Sequence, residues 1–210
     1  MFRYIFLFAF NIISLNSFSY WQQRVDYNIK IDFNHKNHQF EGQQNLIYYN
    51  NSPDTISKVF FHLYFNAFQP GSMMDIRSRS LPDPDSRVMD RISKLKKNEI
   101  GFHEIKTIQQ SGIKLEYHIQ GTVLEVKLEK PIMPNQSSDF YLEYISQVPV
   151  QIRRSGRNNK EGIDYSMAQW FPKIAEYDKD GWHANPYIAR EFYAPWGILM
   201  YQFLFTKIML

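Results

Sequence analysis

Six histidines and 21 carboxylates make a metal site the first chemistry to look for. A zinc peptidase needs two His four residues apart on one helix face, with a Glu beside the first to work on the metal-bound water. The nearest approach is His103-Glu104-Ile105-Lys106-Thr107. Thr107 stands where the second imidazole is needed, and the run alternates like a strand, so it is no zinc site. His35 and His38 flank a turn, His62 sits in the apolar run Phe60–Phe65, and His118 and His183 are isolated. Each is expected to be a surface or hydrogen-bonded histidine. A G-x-S-x-G elbow, a G-x-G-x-x-G turn and a P-loop are all absent from the sequence. Arg153-Arg154 with Arg157, beside Gly156 and Asn158-Asn159, reads as a solvated loop or as an anion-binding one. Trp170, Phe171, Trp182, Tyr187, Phe192, Tyr193 and Trp196 crowd one stretch, as core or interdomain packing or as a carbohydrate platform. Taken by themselves, these residues complete no active site.

The elements that would position them are strands. Val25, Tyr27, Ile29, Ile31 and Phe33 alternate with polar residues, which puts one face on a core and the other in water. Phe40–Tyr49 is a second strand, with Gly42 expected at a bulge. After the turn signal Asn50-Asn51-Ser52-Pro53-Asp54, Lys58–Phe65 reads as a third strand with Val59, Phe61, Leu63 and Phe65 on one face. Further strands are expected at 100–108, 113–119, 122–128 and 138–147. Ser86–Asn98 differs: Val88, Met89, Ile92 and Leu95 have near-helical spacing, with Ser86 as the N-cap. The expected fold is mainly β, an antiparallel sandwich or layered sheet with one short helical insert.

The chain has 210 residues, 44% of them hydrophobic and 17% aromatic, enough for one well-filled core and too apolar for a disordered chain. A net charge of +3 with scattered basic residues gives no reason to expect a nucleic-acid partner. The absence of Cys excludes disulfides, thiolate metal sites and Cys nucleophiles. Met1–Ser19 has the layout of a secretory signal peptide: Arg3, the apolar run Tyr4–Leu15, and small residues at Ser17 and Ser19. Cleavage is expected between Ser19 and Tyr20, leaving no transmembrane span and placing the protein in the periplasm, in the cell envelope or outside the cell.

Several blocks resemble a known family. They are Val148-Pro149, Gln151-Ile152-Arg153-Arg154-Ser155-Gly156, Tyr165-Ser166-Met167-Ala168-Gln169-Trp170-Phe171-Pro172-Lys173, Tyr177-Asp178, Gly181-Trp182-His183 and Glu191-Phe192-Tyr193. An earlier set is His62-Leu63, Asn66-Ala67-Phe68 and Pro70-Gly71-Ser72-Met73-Met74. Together they resemble the N-terminal domain of M1-family zinc metallopeptidases, most of all the exported, aminopeptidase N-like bacterial branch, over about residues 25 to 197. The resemblance implies a saddle of β-sheets, non-catalytic in itself, that walls the substrate cleft of an aminopeptidase. The zinc and its His-Glu-x-x-His motif would belong to a following catalytic domain absent from this sequence. That domain would be the partner and a peptide the substrate of the full-length enzyme, so this chain is expected to hold no metal and to be inactive alone. The resemblance also implies a Gln or Glu near the substrate's amino terminus, and Gln169 is the candidate. The alternative for Gln169 is a side chain that satisfies a backbone group beneath the sheet.

Residues 198–210 depart from the resemblance and fall outside the expected domain, 20–197. Ten of the 13 are hydrophobic and the alternation is lost. With AT-rich codons and a shift of two bases, the same stretch reads Phe-Asp-Val followed by an alternating strand, as the family would continue. The expectation is a frameshift after Gly197 and a truncated product; the alternatives are a genuine strand or a hydrophobic anchor. A different functional class also fits the residues: a stand-alone extracytoplasmic β-sandwich module that binds glycan or protein through its aromatic end.

Overall fold

A computed structural model describes residues 20–82, 84–189 and 192–205. The expected leader and cleavage residue Ser19 lie outside these residues, and so do Glu191 and 206–210; Tyr20 is exposed. Fourteen strands are present: β1 Arg24–Asn34, β2 Gln39–Asn50, β3 Ile56–His62, β4 Phe102–Gln110, β5 Ile113–Lys114, β6 Tyr117–Gln120, β7 Val123–Ile132, β8 Gln136–Gln147, β9 Gly156–Arg157, β10 Tyr165–Ser166, β11 Lys173–Ile174, β12 Tyr177–Asp178, β13 Gly181–Trp182 and β14 Leu199–Phe205. Among the described residues the one α-helix is α1, Met73–Ser80. A six-stranded sheet runs β14-β1-β2-β8-β4-β5, a four-stranded sheet runs β11-β3-β7-β6, and β9-β10 and β12-β13 are small ladders. Pairing is antiparallel throughout except for β14, which lies parallel to β1. The mainly β class and the antiparallel layering expected from period two are what the chain adopts.

Alternation decides the core. Val25, Tyr27, Ile29, Ile31 and Phe33 of β1 are buried, and so are Phe40, Leu46 and Tyr48 of β2 and Phe140, Leu142 and Tyr144 of β8. They meet Val59, Phe61, Leu124, Val126 and Ile174 of the smaller sheet in one cluster. Each such side chain contributes about 1.5–3 kcal/mol when buried.

Four local expectations change. Gly42 is not at a bulge, because its register with Ile31 and Tyr144 is continuous. A Cβ there would lie 2.3 Å from Tyr144 Cζ, so the glycine makes room for a buried ring. The register shifts fall instead between Ile105 and Thr107 and between Ile56 and Lys58. Strand β3 ends at His62, and Tyr64–Ala67 forms a 3-10 turn. Consecutive burial of Leu63, Tyr64 and Phe65 feeds two cores, which a strand with one wet face cannot do.

The expected strand 113–119 is two strands. β5 closes the large sheet through the Ser111-Gly112 turn (φ 49° and 81°), and β6 joins the small one. The helix is also elsewhere, at Met73–Ser80. Ser72 Oγ accepts from Asp75 N, and Asp75 reaches back to Gly71 N. Over 86–98 only Ile92–Lys94 is helical, as a 3-10 turn. Asp85, not Ser86, caps this stretch, accepting from Arg87 N, and Met89 at φ 41° stops propagation. The spacing of Val88 and Ile92 still buries them against Tyr64, Phe68 and Tyr187.

Asn50, fully buried at the end of β2, ties the sheets together. Its Nδ2 donates to the carbonyls of Asp54, Ile132 and Met133, and its Oδ1 accepts from the backbone and hydroxyl of Ser52 and from Gln23 Nε2. Replacing it with an apolar side chain strands several buried polar groups at once. Asn50→Leu is expected to lower unfolding free energy by about 2–4 kcal/mol, read as a shifted urea midpoint. An unchanged midpoint would remove Asn50 from that role.

Candidate functional site

The segment from Val148 to Gly197 is mostly loop, and main-chain demands fix it over the sheets. Pro172 O accepts from the buried Gln44 Nε2 at 2.9 Å, and Ile174 N donates to Tyr27 Oη at 3.1 Å. These two bonds lay Trp170 and Phe171 on the core face of the large sheet, where Trp170 meets Phe40 and Phe171 meets Tyr27 edge to face. β11 then pairs with β3, Lys173 opposite His62. The two separated sets of sequence blocks, 62–74 and 148–193, thereby pack as one layer. Within that layer Tyr64 stands against Tyr187 and Phe192.

Gln169 sits immediately before this anchor, half-buried, with φ at 56°. That left-handed conformation costs a non-glycine residue about 1–2 kcal/mol. It is imposed from both sides, by the buried Trp170 and by Ala168 N donating to Ser155 Oγ. Among the described residues the Gln169 side chain makes no hydrogen bond. The glutamine that satisfies main chain beneath the sheet is Gln44.

The Arg cluster is divided: Arg157 and Arg153 are turned into the protein, while Arg154 stays exposed. Arg157 is buried and donates to Val148 O and Asn98 O. Arg153 donates to Tyr187 Oη and Ala189 O and lies 3.5 Å from Asp85. Arg154 covers the Phe192 ring. The donors of Arg153 and Arg157 hold the loops together.

His183 is not isolated. Its Nε2 is 2.8 Å from Asp178 Oδ1, Tyr193 Oη donates to Asp178 Oδ2 at 3.2 Å, and the Tyr193 ring meets His183 edge-on at 4.8 Å. The β12–β13 hairpin brings them together, and the backbone carbonyl of the buried Glu176 accepts from His183 N. Burial pushes the Glu176 carboxyl up to about 7, against the Tyr177 amide, and the charge of Asp178 adds to the rise. Sequence reading missed this cluster of acid, imidazole and phenol. Its signal was the turn Asp178-Lys179-Asp180-Gly181, which brings residues 178 and 183 face to face.

The described residues do not fit zinc. They contain no group of three His, Asp or Glu side chains placed to hold an ion. His103 is buried on β4 with Nδ1 bonded to Ser146 Oγ at 2.6 Å and its ring stacked on Phe65, while Glu104 is exposed. Burial lowers the His103 pKa to about 3 and keeps the ring neutral. No helix among the described residues is long and apolar enough to cross a membrane.

No family profile and no curated protein matches the chain. Solved structures similar to it include M1 zinc metallopeptidases. A two-domain M1 zinc metallopeptidase mutant bound to L-tryptophan matches at TM-score 0.43 and 15% identity, over 70% of this chain and 27% of its own. A mutant from Deinococcus radiodurans bound to a Tyr-Ser-Ala substrate gives the same score and identity, over 70% and 26%. The chain thus spans about a quarter of the length of these structures.

Glu176 makes stability depend on pH with a defined sign. The folded carboxyl keeps its proton to about pH 7, while an unfolded one releases it near 4.5. The native state therefore holds the extra proton between these values, and its advantage, complete below pH 4.5, is lost as pH rises through 7. Relative to Glu176→Gln, the unmodified protein is expected to lose up to ~3 kcal/mol from pH 4.5 to 8, measured by urea unfolding across that range. Parallel profiles would mean an ordinary carboxyl.

Proposed function

We propose that this chain is the non-catalytic N-terminal β-domain of an exported M1-type zinc aminopeptidase. In the full-length enzyme it walls the substrate cleft, and a separate domain supplies the zinc and cuts the first peptide bond. One observation carries the reading: the two sets of blocks that resemble the family, 86 residues apart from His62 to Val148 by their numbering, pack as one layer through β11–β3 and the Tyr64–Tyr187–Phe192 cluster. Zinc ligands belong, in this reading, outside the residues described.

Gln169 is the residue assigned to the substrate. A half-buried side chain with no bond of its own, on a backbone that its neighbours hold left-handed, is free to accept from a free amino group. The expected outcome is that Gln169→Gly leaves stability equal or raises it by up to ~1 kcal/mol, while in the full-length enzyme Gln169→Ala raises KM for peptides more than it lowers kcat. A clear loss of stability in Gln169→Gly would assign the glutamine to the fold instead.

The exposure of Tyr193 and Trp196 favours a second reading, a stand-alone module that grips glycan or protein. Sequencing the locus past the Leu210 codon separates the two. An open frame carrying His-Glu-x-x-His supports the peptidase reading and places the expected 198–210 departure at a frameshift. A stop with no such frame behind it overturns that reading and leaves binding to envelope glycans as the property to measure. Zinc-dependent peptidase activity from a purified 20–210 chain would contradict both.

A further inference from the structure

Strand β4 is a partly open edge. Beyond β5, which pairs only with Gln109 and Gln110, no strand borders Phe102 to Ile105 on the side away from β8. In an antiparallel ladder the N–H and C=O of one residue point the same way, and the next residue points oppositely. His103 N donates to Asn66 Oδ1 at 2.7 Å, and Ile105 O accepts from Tyr117 Oη at 3.0 Å. Both residues therefore turn their main chain away from β8. Two of the four outward groups are occupied by these side chains. The His103 carbonyl and the Ile105 amide remain.

An acceptor on residue i−1 and a donor on residue i+1 are the pair that one residue of a parallel strand uses. An antiparallel bonded pair uses both the N–H and the C=O of one residue, and at His103 and at Ile105 one of the two is already taken by Asn66 or Tyr117. The edge faces a groove of about 660 Å³ between the large sheet and β6, the outer strand of the small one. Ile100, Phe102, Ile105, Tyr117 and Ile119 line it. Its amides are already committed: Gln69 to Gly101 O, and Gln147 to Lys97 O and Ile100 O. Besides the charged Lys97 and Glu104 on its lining, what the groove offers a ligand is apolar wall and one main-chain pair. The size is that of a small-ligand pocket.

We propose that this groove binds an extended peptide lying parallel to β4, one residue of which donates to His103 O and accepts from Ile105 N. The anchoring residue lies opposite Glu104, so its side chain points to solvent with that of Glu104. Its two neighbours point inward against the apolar walls. The favoured segment is apolar–polar–apolar in an extended conformation, recognised by strand addition. This site is separate from the Gln169 end of the molecule and does not rest on the peptidase reading.

The probe is acetyl-Val-Thr-Val-amide, titrated into the intact protein and followed by amide NMR and hydrogen exchange. Saturable binding at up to millimolar peptide is expected, with exchange at the Ile105 amide slowed. The same peptide N-methylated on Thr cannot donate to His103 O and is expected to bind at least tenfold more weakly. Ile119→Arg, on the exposed edge strand β6, is expected to abolish the response while circular dichroism stays unchanged. Absence of saturable binding, or equal binding of the N-methyl peptide, would overturn the proposal. Binding that leaves Ile105 exchange unaltered would place the peptide elsewhere and overturn it equally.

Discussion

Two packed sheets can share a core only if the polar ends of their strands are satisfied where they cross, and here that constraint falls on Asn50. One buried carboxamide donates to three carbonyls, two of them at the end of β7 in the smaller sheet, while its oxygen holds the Ser52 turn. Everything that must be placed relative to both sheets depends on that junction. Gln44 and Tyr27 repeat the arrangement further along: each is buried in the large sheet and bonds the main chain of the 172–174 segment. Directional bonds from the large sheet, more than apolar contact, decide where the loop layer lies. Apolar burial is indifferent to small slides; a carbonyl 2.9 Å from an amide is not.

The same layer shows where the fold carries cost. Gln169 is left-handed because the anchors on either side of it leave no alternative, and burial of Glu176 raises its carboxyl, with His183 only partly opposing the rise. Both lie within eight positions along one stretch, on either side of the Trp170-Phe171 anchor. The anchor contributes several kcal/mol through two large buried aromatics, enough to hold a strained backbone and a raised carboxyl. By contrast, Arg153 and Arg157 nearby end their donors on carbonyls of the same layer, while Arg154 stays exposed above the Phe192 ring.

The strands of the two sheets were legible because each has one wet face, so period two survives in the sequence. β1 shows it without exception, whereas in β2 the buried positions include Gly42, Gln44 and Asn50. Legibility fails where a segment is wet on neither face, as in Leu63–Phe65, or where it serves two sheets, as in Ile113–Gln120. It also fails at the helix: α1 is short, with only Met74 and Asp75 buried, and so carries no apolar stripe to read. Ser86–Asn98 does carry one, but its spacing comes from turns that bury Val88 and Ile92. Of the candidate site, Gln169 was visible only through resemblance. The Asp178–His183–Tyr193 cluster needed a hairpin and a loop to bring it together, which no local periodicity records.

Gly197 explains why a segment that lost its alternation still pairs with β1. A Cβ on it would lie 1.4 Å from Val25 O, so the chain passes there with main chain against main chain. The bonds on either side, Val25 N to Trp196 O at 3.0 Å and Tyr27 N to Ile198 O at 2.7 Å, set a parallel direction before β14 begins. Whatever follows Gly197 is launched along the open edge of β1, and an unpaired edge accepts main chain irrespective of side chains. Register then puts Leu199, Tyr201, Phe203 and Phe205 on the face of Tyr27, Ile29, Ile31 and Phe33. Trp170 meets Tyr201 and Phe203 on that face, but Leu199, Tyr201 and Phe205 remain exposed on it. Met200 and Leu204 are apolar on the other face as well, where β1 presents Asn28 and Asp32. Pairing of β14 therefore follows from the backbone edge alone, and its side chains extend the apolar face of the large sheet beyond the layer that covers it.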